Sequence, residues 1–127
     1  MKNVSVWLIE KLLSSEGRRH ATIREYAAGQ NIFRVGDPGD YLAVLLSGSV
    51  EIRKGESVIL VVEHGGIFGE MGIIDGRSRS ADANAKSHCR IAEVREGQFI
   101  ALMETTPHFG LGIMRILTER LRNNIDS

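Results

Sequence analysis

The sequence has little cysteine, no long apolar run and no excess of either charge. Its one cysteine, Cys89, excludes an internal disulfide and fits a reducing compartment, so we expect a cytoplasmic protein with a buried, inert thiol. No apolar run approaches the roughly 20 residues that span a bilayer, and residues 1–13 mix charges among apolar positions, unlike a signal peptide. Sixteen basic residues balance sixteen acidic ones, so no charge surplus points to nucleic acid or an anionic membrane.

Clustered metal ligands and a nucleophile–base pattern are also missing. The four histidines stand in unrelated positions, without a paired carboxylate motif beside them: His20, His64, His88 and His108. We therefore predict no metal, no cofactor and no catalytic residue. A metal-dependent enzyme stays the least favoured interpretation, and metal content together with substrate turnover would reveal it.

Apolar spacing divides the 127 residues, which we expect to form a single domain, into a helix, a β-region and further helices. We expect the first helix over about 4–16, the β-region over about 20–95 and the last helices over about 97–125. Seven short strand-prone stretches are separated by glycine-rich breaks: Thr22–Tyr26, Asn31–Arg34, Tyr41–Leu46, Ser49–Arg53, Ser57–Val62, Ser80–Ala85 and Arg90–Val94. Such spacing favours an antiparallel sandwich or barrel over alternating β–α units.

Two local patterns give more specific predictions. Asp37-Pro38-Gly39-Asp40 has proline second and glycine third, as a type II turn requires. In the last helix, one face carries apolar residues that we assign to the core: Leu111, Met114, Leu117, Leu121 and Ile125.

The stretch from Phe68 to Ala81, FGEMGIIDGRSRSA, carries the clearest chemical pattern. It sets Glu70 and Arg79 nine residues apart, and the apolar run between them can form one helical turn that begins at the glycine–acid pair. A helix N-terminus is a natural seat for a phosphate, and Arg79 can add a bidentate clamp on the same anion. Glu70 can only accept hydrogen bonds, as from sugar hydroxyls. A site of this kind suggests a nucleotide or a sugar phosphate.

This stretch resembles the phosphate-binding cassette of the cyclic nucleotide-binding domain family, where members read F-G-E-(L/I/M)-A-L, then P-R-(S/T/A)-A. The family includes protein-kinase regulatory subunits, cyclic-nucleotide-gated channels and catabolite-activator-type transcription factors. Upstream, residues 26–40 match the family's segment Y-x-x-G-x-x-I-F-x-x-G-D-x-G-D, and the resemblance runs from about residue 20 to about 125. It implies a fold that is mainly β with flanking helices: an eight-stranded antiparallel jelly-roll β-barrel with an N-terminal helix and C-terminal helices.

The resemblance also implies a role for each matching residue. Arg79 neutralises the cyclic phosphate and Glu70 accepts from the ribose 2′-hydroxyl. The other implied ligand contacts are Gly69, Met71, Gly72, Ser80 and Ala81 around the phosphate, Val61 and Val62 against the base, and Asn124 or, as second choice, Arg120 as a cap on the purine. Asp40 matches an acidic position that, in some relatives, steadies the cassette arginine.

The cassette departs from the family pattern at several positions. Ser78 replaces the usual proline before the arginine, Gly72 replaces the usual alanine, and Asp82 stands where threonine or serine is common. None of these changes removes a direct ligand contact. They leave open a degenerate domain that serves as a ligand-free protein-interaction module.

The resemblance implies a sensor of cyclic nucleotide, with cyclic AMP as the first choice of ligand and cyclic GMP as the second. Binding is expected to move the C-terminal helix. No DNA-reading helix follows the final helix of this sequence, so we expect no direct contact with nucleic acid. The effector is then a separate protein or a missing domain, no membrane is involved, and a homodimer is a further expectation.

Overall fold

The computed structural model describes residues 4–15 and 17–126, with the side chains of residues 4–6, 8 and 124–126 outside the description. Four helices flank the strands: α1 (Val4–Leu13), α2 (Glu70–Asp75), α3 (Glu96–Thr105) and α4 (Pro107–Asp126). The strands are β1 (Thr22–Tyr26), β2 (Asn31–Phe33), β3 (Tyr41–Ser47), β4 (Val50–Lys54), β5 (Ser57–Val62), β6 (Ile67–Phe68), β7 (Asp82–Ala85) and β8 (Cys89–Arg95). None of the helices in this described part is long and apolar enough to cross a membrane.

The strands form two four-stranded sheets whose recorded pairs are all antiparallel. One sheet has the order β1-β8-β3-β6 and the other β2-β7-β4-β5. Strands distant in sequence are therefore neighbours in each sheet, as in a jelly roll. The predicted fold class, mainly β with flanking helices, is confirmed.

The core has two layers that share strand β3. Ala43 and Leu45 point between the two sheets, whereas Leu42 and Val44 point towards the helices on the outer face of the first sheet. Because both faces of β3 are covered, its sequence is a nearly unbroken apolar run rather than an alternation. Cys89 lies between the sheets and is fully buried, as predicted, and burial raises the pKa of its thiol.

The seven predicted strands are all present, each with both ends within two residues of those expected. Strand β6 was not predicted, because two apolar residues between glycines carry no periodic signal. The first helix also ends earlier than the predicted residue 16, at Leu13, and a short 3₁₀ turn follows over Gly17–His20.

The predicted turn at residues 37–40 is wrong, and the actual turn lies three residues earlier. The Asp37 N–H donates to the Arg34 carbonyl at 3.0 Å, and Gly36, the third residue of that turn, has a φ of 89°. Gly39 is not among the glycines with positive φ. The glycine that reaches the left-handed region is thus Gly36, while Gly39 is required for packing, as shown below.

The face of α4 assigned to the core is only partly correct: Leu117 packs against the core, and the side chain of Ile125 lies outside the described residues. Phe109 and Ile113 are buried, whereas Met114 and Leu121 are 58% and 61% exposed. The ring of Phe109 packs on that of Phe99 in α3, with centroids 5.8 Å apart. Because this contact follows directly on the short α3–α4 connection, it sets the rotation of α4 and leaves the predicted stripe largely outside.

Candidate ligand-binding site

A cavity of about 200 Å³ lies where the cassette meets strands β4 and β5 and helix α4. Every predicted cassette position, from Gly69 to Gly72 and from Arg79 to Ala81, lines it. Arg120 lines it from α4. The remaining wall is largely apolar and is formed by Phe33, Ile52, Ile59, Leu60 and Phe68, with Ser78 completing the cassette side. A largely apolar cavity with a few polar groups in its wall is typical of a small-molecule site.

The geometry of the cassette depends on Gly69, the residue before α2. Its φ of 74° lies in the left-handed region, which favours glycine, and it lets the chain turn from β6 into the helix. A Cβ at this position would lie 2.6 Å from Nη1 of Arg79. A side chain here would therefore both strain the turn and displace the arginine.

Arg79 is buried, with 5% of its surface exposed. Its Nη1 donates to the Gly69 carbonyl and its Nη2 to the Tyr41 carbonyl, both at 2.7 Å. Its Nε is buried and has no hydrogen-bond partner among the described residues. A buried donor without a partner is costly, which makes this Nε an exception among buried polar groups.

The same guanidinium lies over two aromatic rings. Its Cζ lies 4.1 Å from the centroid of Phe33 and 4.7 Å from that of Tyr41. Such cation–π contacts favour a charged arginine away from water. Burial, together with the charge of Glu93, raises the pKa of Tyr41 to about 12, so its phenol is neutral at physiological pH.

Glu70, the first residue of α2, is buried and forms an ion pair across the cavity. Its Oε1 accepts from Nη1 of Arg120 at 3.0 Å. Arg120 also donates through Nη2 to the Ile67 carbonyl in β6. The predicted sugar acceptor is therefore connected directly to α4, and Arg120 contacts the cassette acid.

The structure places some other predicted site residues elsewhere. Val62 is buried between the sheets, and Val61 lines a neighbouring cleft beside Arg120. In the same strand, Ile59 and Leu60 line the cavity instead. The pairing of β4 with β5 shifts register between Ile52 and Arg53, and sequence periodicity does not indicate which β5 residues then meet the cavity.

Asp40 does not contact Arg79. Its carboxylate accepts from Nη1 of Arg95 at 2.8 Å, so the predicted pairing with the cassette arginine is wrong. Two carbonyls and two rings hold Arg79 instead. Of these groups, Phe33 and Gly69 belong to segments that match the family, whereas Tyr41 lies outside them. The side chain of Asn124 lies outside the described residues.

Comparisons with known proteins agree with this geometry. The profile of the cyclic nucleotide-binding domain matches residues 23–106. The chain is 32% identical over 110 residues to the cAMP-activated global transcriptional regulator CRP of Pasteurella multocida, covering 82% of this chain and 53% of that protein. The chain spans about half the length of the CRP-type relatives it matches.

Solved structures give the same result. The catabolite activator protein of Thermus thermophilus superposes with a TM-score of 0.76 at 26% identity, over 92% of this chain and 59% of that one. A structure from work on a cyclic-GMP-dependent signalling pathway that regulates bacterial phytopathogenesis gives 0.74 at 26% identity. That match covers 97% of this chain and 95% of that one.

Proposed function

The chain belongs to the cyclic nucleotide-binding domain family, and on that basis we propose that it senses a cyclic purine nucleotide, cyclic AMP in preference to cyclic GMP. The observation that carries the proposal is Arg79, a buried cation at the cavity with an unpaired Nε. The CRP of Pasteurella multocida is described as cAMP-activated, which favours cyclic AMP. Cyclic GMP is the second choice, because one similar structure comes from work on a cyclic-GMP-dependent signalling pathway.

The proposed arrangement of the ligand follows from the chemistry of the cavity wall. The guanidinium of Arg79 and the N–H groups at the start of α2 bind the cyclic phosphate, and the hydroxyl of Ser80 adds a further donor. Glu70 accepts from the ribose 2′-hydroxyl. Ile59 and Leu60 provide apolar surface for the base.

Coupling to α4 is the regulatory part of the proposal. Arg120 connects α4 to Glu70 and to β6. A ligand hydroxyl that bonds to the Glu70 carboxylate therefore competes with the ion pair between Glu70 and Arg120. Cyclic nucleotide then shifts α4 between two positions, by no more than its difference in affinity for them. Hydrogen exchange over residues 107–126 should slow with cyclic AMP, and equal exchange with and without it would contradict the coupling.

The output of this domain is regulation rather than catalysis, exerted on a separate effector protein or on a further part of a longer protein. A cytoplasmic location stays a prediction from the cysteine content. The exposed residues Leu111, Met114 and Leu121 of α4 repeat at spacings of three and seven, as in a coiled-coil seam, and support association into a homodimer. Sedimentation of the parent and of Leu121→Glu tests this: the variant should shift towards monomer.

A thermal-shift series tests the proposed ligand. Cyclic AMP, cyclic GMP and acyclic AMP are compared on the purified chain, with acyclic AMP as the control for the cyclic phosphate. A ligand at 100 times its dissociation constant stabilises the folded state by about 2.7 kcal/mol, which raises the melting temperature visibly. No shift with either cyclic nucleotide would favour the ligand-free interaction module instead.

A further inference from the structure

The segment between β2 and β3, residues 34–40 and hereafter the 34–40 loop, pairs with the backbone of the cassette arginine. The N–H of Gly36 donates to the Arg79 carbonyl at 2.8 Å, and the N–H of Arg79 donates to the Asp37 carbonyl at 2.8 Å. Both backbone groups of Arg79 are thus bonded to one loop. The loop lies behind the arginine, whose side chain faces the cavity.

Asp82 holds the first part of this loop. Its Oδ1 accepts from the N–H of Val35 at 2.8 Å, across 47 residues of sequence. Within the loop, Oδ2 of Asp37 accepts from the N–H of Arg34 at 3.0 Å and closes the turn. Asp82 is one of the positions where the cassette departs from the family pattern.

The second part of the 34–40 loop packs on α2 through two glycines, Gly39 and Gly72. A Cβ added at Gly72 would lie 2.3 Å from the Gly39 carbonyl oxygen, and one added at Gly39 would lie 2.8 Å from the Gly72 Cα and 2.3 Å from the Arg77 carbonyl oxygen. All of these atoms belong to the backbone, so no side chain can move aside. The glycine that replaces the usual alanine at position 72 therefore lets the loop pack directly on α2.

We infer that the 34–40 loop is a positioning element of the ligand site, and that Asp82, Gly39 and Gly72 hold it against the cassette. The loop touches α2 at Gly72 and the backbone of Arg79, which are the two halves of the proposed phosphate site. It thereby fixes the distance between the start of α2 and the guanidinium. Two departures from the family pattern, Gly72 and Asp82, contact this same loop and act together.

The inference rests on the proposed function, and its test uses pairs of variants. Gly72→Ala and Asp82→Ala should each weaken cyclic AMP binding about tenfold, because a small displacement between two parts of a site is costly. Gly97→Ala is the matched control, since a Cβ at this helical glycine of α3 meets nothing within 4 Å. Asp82→Asn keeps an acceptor oxygen for the Val35 N–H and should restore affinity to within about twofold of the parent.

Hydrogen exchange of the Arg79 amide supplies a readout that does not need ligand. That amide should exchange faster in Asp82→Ala and Gly72→Ala than in the parent, and at the parent rate in Asp82→Asn and Gly97→Ala. If the parent does not bind cyclic AMP, the proposed function fails, and amide exchange alone then decides the role of the loop. The inference is overturned if Asp82→Ala keeps both the parent's affinity for cyclic AMP and the parent's exchange rate at the Arg79 amide. This holds even if the melting temperature of the variant is lower.

Discussion

Glu70 and Arg120 are 50 residues apart in sequence, and their charged groups lie 3.0 Å apart in the structure. Glu70 is the first residue of the cassette helix, and Arg120 lies in the second half of α4. The pair therefore joins the proposed sugar contact to the helix that is proposed to move. Arg120 is held at both ends of its guanidinium, since the Ile67 carbonyl accepts its second bond.

The first prediction concerns Arg120→Met, which keeps an apolar stem and removes the charge. The free energy of unfolding should fall by about 1–3 kcal/mol, because the Glu70 carboxylate stays buried and loses its partner. Urea unfolding measures the change. The matched control is Arg122→Met, an exposed arginine on the same helix, which should have almost no effect. Equal losses in the two variants would show that the ion pair does not stabilise α4.

The second prediction concerns the sugar. Glu70→Gln keeps the shape of the side chain but removes the charge from the acceptor, so cyclic AMP should bind more weakly. The preference for cyclic AMP over its 2′-deoxy analogue should narrow, and titration of both ligands measures this. Asp75→Asn, at the far end of α2, is the control. An unchanged preference in Glu70→Gln would count against Glu70 as the ribose contact.

Much of the cassette could be predicted because its residues are neighbours in sequence. Gly69, Glu70 and Arg79 lie within one short stretch. Their residue types and spacing alone suggest a seat for a phosphate beside an acceptor for a hydroxyl. The short strands were predicted for a similar reason, since glycine breaks and apolar runs are local signals.

The contacts that hold the site were not predictable, because they join distant segments. Nothing local indicates that the Tyr41 carbonyl accepts from Arg79, or that Asp40 pairs with Arg95 instead. The prediction of which α4 face is buried failed in part for the same reason. Phe109 and Leu111 are both apolar, and only packing against α3 decides which of them is buried.

The third prediction concerns alkaline pH and Tyr41. Burial, together with the charge of Glu93, raises the pKa of Tyr41 from 10.0 to about 12 in the folded state. Because the folded-state pKa is raised, the unfolded chain loses this proton first as pH rises. The contribution of the Tyr41 hydroxyl to the free energy of unfolding is therefore fully present below pH 10 and is lost as pH rises through about 12. Tyr41→Phe keeps the ring over Arg79 and removes the titrating hydroxyl.

Urea unfolding between pH 9 and about 11.5 measures this effect as the difference between the parent and Tyr41→Phe. Tyr26 and Cys89 also have raised pKa values and titrate in both proteins. The contribution of Cys89 cancels in that difference, whereas the part of the Tyr26 contribution that acts on Tyr41 is removed with the hydroxyl. The stability of Tyr41→Phe should fall less steeply with pH. Parallel curves would show that the phenol of Tyr41 does not contribute.

Arg79 provides the most direct test of the account, by calorimetric titration of cyclic AMP into the parent and three arginine variants. Arg79→Ala should weaken binding by at least about tenfold, since a charge-assisted bond to the phosphate is lost, and Arg79→Lys should recover little of it. Arg77→Ala is the matched control, because that arginine stands two residues away with a side chain 84% exposed. The account predicts equal affinity in the parent and Arg77→Ala, and binding at least about tenfold weaker in both Arg79 variants. Equal dissociation constants in all four proteins, or no heat with the folded parent at millimolar cyclic AMP or cyclic GMP, would contradict it.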